Sequence, residues 1–191
     1  NDYDVSEIKR IIKEGIREIR INLNNKKVLI KPNLLSDMEP KRHVTSQKEF
    51  FIALFDILSG YNCTIFVGDS PALVKGYDVL KKLKILDEIK RYNAKVVEFK
   101  GMGKKYIWNG VKDFDLIINL CKLKTHSLMT YTGAVKNLYG FIPGKTKALL
   151  HPIHPNPTSF GKLLYGIYEE IRPRINIIDA IVSMEGNGPS N

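Results

Sequence analysis

Cysteine is scarce in this chain of 191 residues, which holds only Cys63 and Cys121. Two thiols without a C-x-x-C pair cannot supply the four ligands of an iron–sulfur cluster or build a disulfide framework, so neither is expected within this segment. No stretch approaches the ~18 apolar residues of a membrane span, and the opening NDYDVSEIKR lacks the basic-then-apolar plan of a signal peptide. The sequence therefore predicts a cytoplasmic protein with no membrane partner.

Acidic residues are also few. The chain has 20 Asp and Glu but 30 Lys and Arg, which gives a net charge of +10 at pH 7. This balance favours anionic partners, which include nucleic acid, anionic lipid and small phosphorylated or carboxylated molecules, although a solvated lysine-rich surface is the alternative. The chain lacks a recognition-helix motif and an aromatic RNA-binding signature, so nucleic acid is not expected as a partner. Apolar residues make up 43% of the chain, which excludes a disordered or collagen-like protein.

Hydrophobic periodicity predicts strands that alternate with helices along the chain. The predicted strands are 27–30, 63–67, 95–99, 116–120 and 175–179. Helices are expected from Val5 to Ile19, from a capping box at Ser46 to Gly60, and over 79–92 and 160–171, with a hairpin or excursion over 100–110. No linker divides the chain. Because the strands are almost entirely apolar, residues 1–191 are predicted to form a single α/β domain, with a mainly parallel sheet of about five strands covered by helices on both faces.

Polar residues follow every one of these strands. The segments are KPN (31–33), GDSP (68–71), KGMG (100–103), CKLKTH (121–126) and AIVSMEGNGP (180–189). The carboxyl ends of parallel strands meet at one edge of a sheet, and ligands of open α/β sheets bind in the crevice beyond that edge. The sequence thus predicts a ligand site at this edge.

Familiar phosphate-binding motifs are not complete in this sequence. PGKT (143–146) would need Gly at position 139 to form a P-loop, but that residue is Tyr139, and a helix rather than a strand is predicted before it. GMGKKY (101–106) has Tyr106 where a dinucleotide-binding motif has its last Gly. Neither motif supports a nucleotide-binding function.

The stretch CKLKTHSLMTYTGAVKNLYG (121–140) favours an anion site instead. Thr130 and Thr132 precede a predicted helix start at Gly133, where free N–H groups attract anions. Lys136 would lie one turn into that helix, and the strand side would contribute Lys122, Lys124 and His126, joined by Lys31 from the first strand. In the alternative interpretation the threonines simply cap a helix and the lysines are solvated.

Three acidic residues lie at predicted strand ends, namely Asp69, Asp179 and Glu185. They could hold a divalent metal or act as a general base, while an Asx-turn is the simpler explanation for Asp69. His151 and His154 in HPIHP are interpreted as surface or gating residues. Nearby lysines would lower the pKa of Cys121 and make it a nucleophile or metal ligand, although a small buried residue is the commoner case.

Four segments together resemble the domain of unknown function 362 family. They are VLIKPNLL (28–35), VGDSP (67–71), NLCKLKTHSLMTYTGAVKNLYGFIPGKTK (119–147) and IIDAIVSMEGNGP (177–189). The segment RHVTSQKEFF (42–51) lacks the Thr-His-Pro motif that is usual in the family at this point, so no role is assigned to Thr45 from the resemblance. The resemblance implies a site at the matching positions Lys31, Asn33, Asp69, Lys122, Lys124, His126, Lys136 and Asn137. Many relatives carry a ferredoxin-like module with two four-iron clusters after this domain.

Two hypotheses follow. In the first, an enzyme-like domain binds a small anionic ligand, His126, Lys124 and Asp69 act in catalysis, and His126 is a general acid or base. The ligand-binding residues would be Lys31, Asn33, Ser70, Lys122, Thr132, Gly133, Lys136, Asn137 and Glu185. In the second, the domain is a redox partner or scaffold of an iron–sulfur protein, which a C-x-x-C-x-x-C-x-x-x-C-P run beyond Asn191 would favour. The cofactor, the substrate and the oligomeric state are left open.

Overall fold

The structure, a computed structural model, describes residues 3–36, 42–72, 74–186 and 188. The strands are β1 (Lys27–Lys31), β2 (Thr64–Val67), β3 (Lys95–Val96), β4 (Leu116–His126), β5 (Thr130–Thr132) and β6 (Ile175–Met184). The α-helices are α1 (Val5–Glu18), α2 (Lys48–Gly60), α3 (Gly76–Lys82), α4 (Leu86–Arg91), α5 (Ala134–Asn137), α6 (Gly144–Ile153) and α7 (Pro157–Ile171). They surround one mostly parallel sheet, which confirms the predicted α/β class.

The strand order places a topological switch point in the middle of the sheet. The path runs β3-β2-β1-β4, and β6 pairs in parallel with the other edge of β4. Beyond the end of β1, the short β5 pairs antiparallel with the last residues of β4. The chain moves outward from β1 to β2 and β3, and then returns to the opposite side of β1 as β4. A crevice therefore opens beyond the carboxyl ends of β1 and β4.

Alternating side chains of the central strands feed two apolar cores, one on each face of the sheet. Val28 and Ile30 of β1 join the core formed with α1 to α4, whereas Leu29 joins the core that contains Phe160 and Ile167 of α7. A strand with apolar residues on both faces must be covered on both sides, which explains its continuous apolar sequence. Coverage of both faces is confirmed.

Strand β4 is longer than predicted, because it continues through CKLKTH to His126 instead of ending at residue 120. Both β5 and β6 pair with its second half, and these partners supply the backbone hydrogen bonds that a polar strand end needs. Strand β6 likewise runs to Met184 rather than stopping at residue 179. The lysines of CKLKTH therefore lie on a strand and not on a loop.

Several local predictions were wrong. The predicted capping box is absent, because α2 starts after Gln47 and the Ser46 hydroxyl instead accepts from Asn33 N (2.9 Å) and donates to Leu120 O (3.0 Å). The helix predicted over 79–92 is divided into α3 and α4 at Lys84, whose φ is positive. Of the hairpin or excursion predicted for 100–110, the structure has the excursion, which consists of short 3₁₀ turns between β3 and β4. The helix start predicted at Gly133 is present as α5, but this helix is a single turn and no threonine side chain caps it.

Candidate functional site

A cavity of about 450 Å³ lies at the switch point, beyond the ends of β1 and β4. Its charged and titratable lining consists of Lys31, Asp69, Lys124, His126, Lys136, Tyr139, Lys147 and His151. A larger cavity, of about 620 Å³, lies between α1 and β6. Isoleucines form most of its wall, so it has few side chains that could bind a polar ligand or act in catalysis. The smaller cavity is the candidate site, because its charged groups converge from five separate segments.

A buried ion pair forms the floor of this cavity. Lys31 Nζ, at the end of β1, lies 2.7 Å from Asp69 Oδ1, and both side chains are almost fully buried. Asp69 also accepts hydrogen bonds from the backbone N–H groups of Leu34 (2.8 Å) and Ser70 (2.9 Å). Burial lowers the pKa of Lys31, an effect that the adjacent carboxylate opposes. The Asp69 carboxylate is thus occupied by an ion pair with Lys31 and by hydrogen bonds from two backbone amides.

A chain of asparagine amides fixes the strands around the ion pair. Asn33 Nδ2 donates to Asn137 Oδ1 (3.1 Å), and Asn137 Nδ2 donates to Asn119 Oδ1 (2.8 Å). Asn119 in turn donates to Asn176 of β6 (2.8 Å). Sequence reasoning did not single out Asn119, which looks like one polar residue inside an apolar strand. The network ties β1, β4, β6 and α5 together behind the cavity.

Lys124 projects from β4 into this arrangement and is only 2% exposed. Its Nζ donates to Asn33 Oδ1 (3.1 Å) and to the carbonyl oxygen of Val44 (2.6 Å). Burial, followed by repulsion from Lys136, lowers the pKa of Lys124 to about 7. This amine therefore exists in both protonation states near neutral pH.

Two further lysines line the opposite wall. Burial lowers the pKa of Lys136, on α5, to about 8, and burial also lowers the pKa of Lys147, on α6, to about 8. Lys147 Nζ donates to the carbonyl oxygen of Ser70. Among the described ion pairs, Lys31 alone of the four cavity lysines has a carboxylate partner. The cavity thus gathers more cations than anions.

Lys147 was missed by sequence reasoning, which considered the neighbouring PGKT only as a failed P-loop. The spacing of these residues could have predicted that Lys147 belongs to the site. One face of α6 lines the cavity with residues three or four positions apart, namely Gly144, Lys147, Ala148 and His151. The same spacing places His151 in the cavity wall, whereas His154 is not part of that wall.

His126 is held in one tautomer. Its Nδ1 accepts hydrogen bonds from the backbone N–H groups of Leu128 (3.1 Å) and Met129 (3.2 Å), so in the neutral ring the hydrogen must be on Nε2. Burial and then the nearby lysines lower the pKa of His126 to about 4. At neutral pH this residue is a neutral hydrogen-bond donor, and it has no free nitrogen that could act as a base.

We expect the folded-state imidazole ¹⁵N spectrum to show His126 protonated at Nε2 alone, unchanged between about pH 5.5 and 8. The unfolded ring would bind its proton near its ordinary pKa of 6.5, whereas the folded ring does so near 4. Between these values the unfolded chain binds more protons, so His126 lowers the free energy of unfolding as the pH falls from 6.5 towards 4. A His126 signal that titrates above pH 5.5 would contradict this assignment.

Lys122 was predicted to join the site, and it does not line the cavity. Its Nζ lies 2.9 Å from Asp179 Oδ2 and donates to the Tyr3 hydroxyl (2.8 Å), and the side chains of Lys122 and Asp179 are fully buried. Tyr3 donates in turn to Asp179 Oδ1 (3.1 Å). This second buried pair connects the start of α1 to β4 and β6.

The other predicted site residues divide into two groups. Asn33, Ser70, Thr132 and Asn137 line the cavity, while Gly133 and Glu185 do not, and Glu185 is exposed beyond β6. Thr132 is informative, because its Oγ1 is buried and has no hydrogen-bond partner among the described residues. An unpaired buried hydroxyl in a cavity wall is a group that a bound ligand would satisfy.

Cys121 is a small buried residue rather than a reactive thiol. Its Sγ donates to the carbonyl oxygen of Ile177 (3.2 Å), and burial raises its pKa to about 12. Within the described parts of the chain, no three His, Cys, Asp or Glu side chains come together as metal ligands. No α-helix in those same parts is both long and apolar enough to cross a bilayer.

Comparisons with known proteins agree with the motif pattern. A family model described as "Domain of unknown function (DUF362)" matches residues 28–191. A thylakoid-associated protein of Synechocystis sp. is 34% identical over 173 residues, which is 85% of this chain and 54% of that protein. The chain therefore spans about half the length of this relative. No solved structure gives a significant match.

Proposed function

The chain belongs to the domain of unknown function 362 family, and from that premise we propose that its cavity binds a small anion bearing a phosphate or carboxylate group. The observation that carries this proposal is the set of four cavity lysines, which share one carboxylate. Taking ammonium groups out of water is costly unless an opposite charge accompanies them. A bound anion would supply that charge.

The cavity offers several groups of the type that anions prefer. Lys136 and Lys147 would donate charge-assisted hydrogen bonds to the anion. The Oγ1 of Thr132 would gain the hydrogen-bond partner that it lacks among the described residues. His126 would present its Nε2–H as a neutral donor, which replaces the acid or base role predicted for it from sequence. Asp69 would act only by neutralising Lys31.

Anion binding would also raise the pKa values of Lys136 and Lys147, because a negative charge favours the protonated amine. Protons would therefore be taken up with the anion at pH 8, where these two amines are partly neutral in the empty cavity. Affinity would fall as the pH rises above about 8. A solvated surface patch of lysines would not show this pH dependence of the affinity, so the measurement distinguishes the two.

Inorganic phosphate titrated by calorimetry at pH 7 is the direct test. Replacing Lys136 with Met should weaken binding by at least about tenfold, since one charge-assisted hydrogen bond contributes about 1.5–3 kcal/mol. The variant should melt at or above the wild-type temperature without phosphate, because an apolar side chain replaces a partly buried cation that has no carboxylate partner among the described ion pairs.

Lys13→Met is the matched control, since Lys13 is exposed on α1, away from the cavity. It should bind phosphate as the wild type does. Absence of phosphate binding to the wild type, or equal binding by Lys136→Met and the wild type, would refute the proposal.

The alternative is a redox-associated partner or scaffold that works with an iron–sulfur module or protein. It rests on the family resemblance and stays a prediction. The sequence of the gene beyond Asn191 is the simplest test, because two ferredoxin-like cysteine runs there would favour it.

A further inference from the structure

The amine of Lys124 is held differently from the ammonium of its neighbour Lys31. Lys31 Nζ has three acceptors, namely Asp69 Oδ1 (2.7 Å), Pro32 O (2.6 Å) and Asn137 Oδ1 (3.3 Å), which match the three N–H groups of an ammonium. Lys124 Nζ has two acceptors among the described residues, Asn33 Oδ1 and Val44 O. Two acceptors match the two N–H groups of a neutral amine and leave its lone pair free.

The surroundings of Lys124 favour the same neutral form. The charged groups that act on it are Lys31 from β1, Asp69 after β2, Lys122 on its own strand and Lys136 from α5, so three cations outweigh one carboxylate. Burial adds to this effect, because the side chain is 2% exposed. A lysine desolvated beside other cations is the arrangement that makes an amine nucleophilic at neutral pH.

We propose that Lys124 is a nucleophile that forms an imine with an aldehyde or ketone carrying a phosphate or carboxylate group. This inference rests on the proposed function, because Lys136 and Lys147 would hold the anionic group while the carbonyl carbon approaches Lys124. His126 also lines this cavity and, with Nδ1 occupied by a backbone N–H, would donate a hydrogen bond from Nε2 to the carbonyl oxygen.

The reaction balances without an oxidant or a reductant. The nitrogen lone pair forms a bond to the carbonyl carbon, the carbon–oxygen π electrons move to oxygen, and a proton moves from nitrogen to that oxygen. The nitrogen then loses its second proton as water leaves, so amine plus carbonyl gives imine plus water. The imine would make the carbon atom next to it more acidic, which is the usual purpose of a lysine Schiff base.

Reductive trapping tests the inference. The wild-type chain is incubated at pH 7.5 with dihydroxyacetone phosphate or pyruvate plus sodium cyanoborohydride, and peptides are mapped by mass spectrometry. We expect a saturable adduct on Lys124 that forms at least about tenfold faster than adducts on Lys13 and Lys90, which are exposed and lie outside the cavity. This measurement requires no variant, so it does not depend on how a mutant folds.

Two variants sharpen the test. Lys124→Arg keeps a positive charge but cannot form an imine, so labelling of the whole protein by dihydroxyacetone phosphate should fall to the slow rate of its exposed lysines. Lys136→Met keeps the nucleophile and loses part of the anion site, so dihydroxyacetone phosphate should label it more slowly. Acetone, which has no charge, should lose less rate than dihydroxyacetone phosphate does, because Lys136→Met affects acetone only by raising the pKa of Lys124.

The outcomes distinguish the two proposals. Phosphate binding without an adduct on Lys124 would overturn this inference and leave the anion site standing. An adduct that forms faster on Lys136 or Lys147 would also overturn it, since another lysine would be the nucleophile. Failure of both phosphate binding and labelling would overturn both proposals.

Discussion

Replacing Asp69 with Asn is expected to lower the free energy of unfolding by about 3–5 kcal/mol, the typical cost of breaking one half of a buried ion pair. Asn has nearly the same shape as Asp, so the change removes charge and leaves the packing almost unaltered. Lys31 would lose its counterion while its side chain stays 1% exposed and surrounded by other lysines. Urea denaturation at pH 7, with a linear extrapolation to water, measures the loss.

A surface ion pair provides the control. Asp56 pairs with Lys9 on the exposed side of α2 and α1, where the two side chains are 40% and 34% exposed. Asp56→Asn should therefore cost less than about 1 kcal/mol. If both substitutions had the same small effect, the Lys31–Asp69 pair could not be the buried floor of the site.

Gly140→Ala is expected both to destabilise the protein and to abolish phosphate binding. A methyl group at this position would overlap Asp69 Oδ1 and the end of the Lys31 side chain, so the ion pair would have to move. Both partners are buried, and forcing extra atoms into a packed interior costs about 1–3 kcal/mol or more. Thermal melting and phosphate calorimetry on the same sample measure both effects.

Gly15→Ala makes the same chemical change where there is room for it. No atom lies within 4 Å of a Cβ added at Gly15, in the middle of α1. Alanine should stabilise this helix by about 0.5–1 kcal/mol, because it loses less backbone entropy than glycine. A Gly140→Ala protein with wild-type stability and binding would show that the residue does not press on the ion pair.

Simple rules predicted much of the fold and the grouping of polar side chains at one edge of the sheet. Continuous apolar runs such as Val28–Ile30 indicated strands buried on both faces. The rule that polar strand ends meet at one edge brought Lys31, Asp69, Lys124 and His126 into one crevice before any tertiary contact was known. These predictions succeeded because they depend only on local periodicity and on the parallel direction of the strands.

The errors arose where long-range pairing decides the outcome. Lys122 and Lys124 are two residues apart on β4 and look equivalent in sequence. Lys122 pairs with Asp179 of β6 in the regular register, and a register shift after it pairs Lys124 with Met184, so one lysine gains a buried counterion and the other does not. Ser46 resembled a helix cap by its spacing, yet the nearby ends of β1 and β4 recruit its hydroxyl instead.

The scattered origin of the cavity lysines has a consequence for the order of folding. Lys31, Lys124, Lys136 and Lys147 come from β1, β4, α5 and α6, so their repulsion is absent from each isolated segment and arises only as the sheet closes. Contacts between distant parts of a chain must first overcome the entropy of loop closure. The electrostatic cost of the site is therefore added to the late steps of assembly, where an anion already present would reduce it.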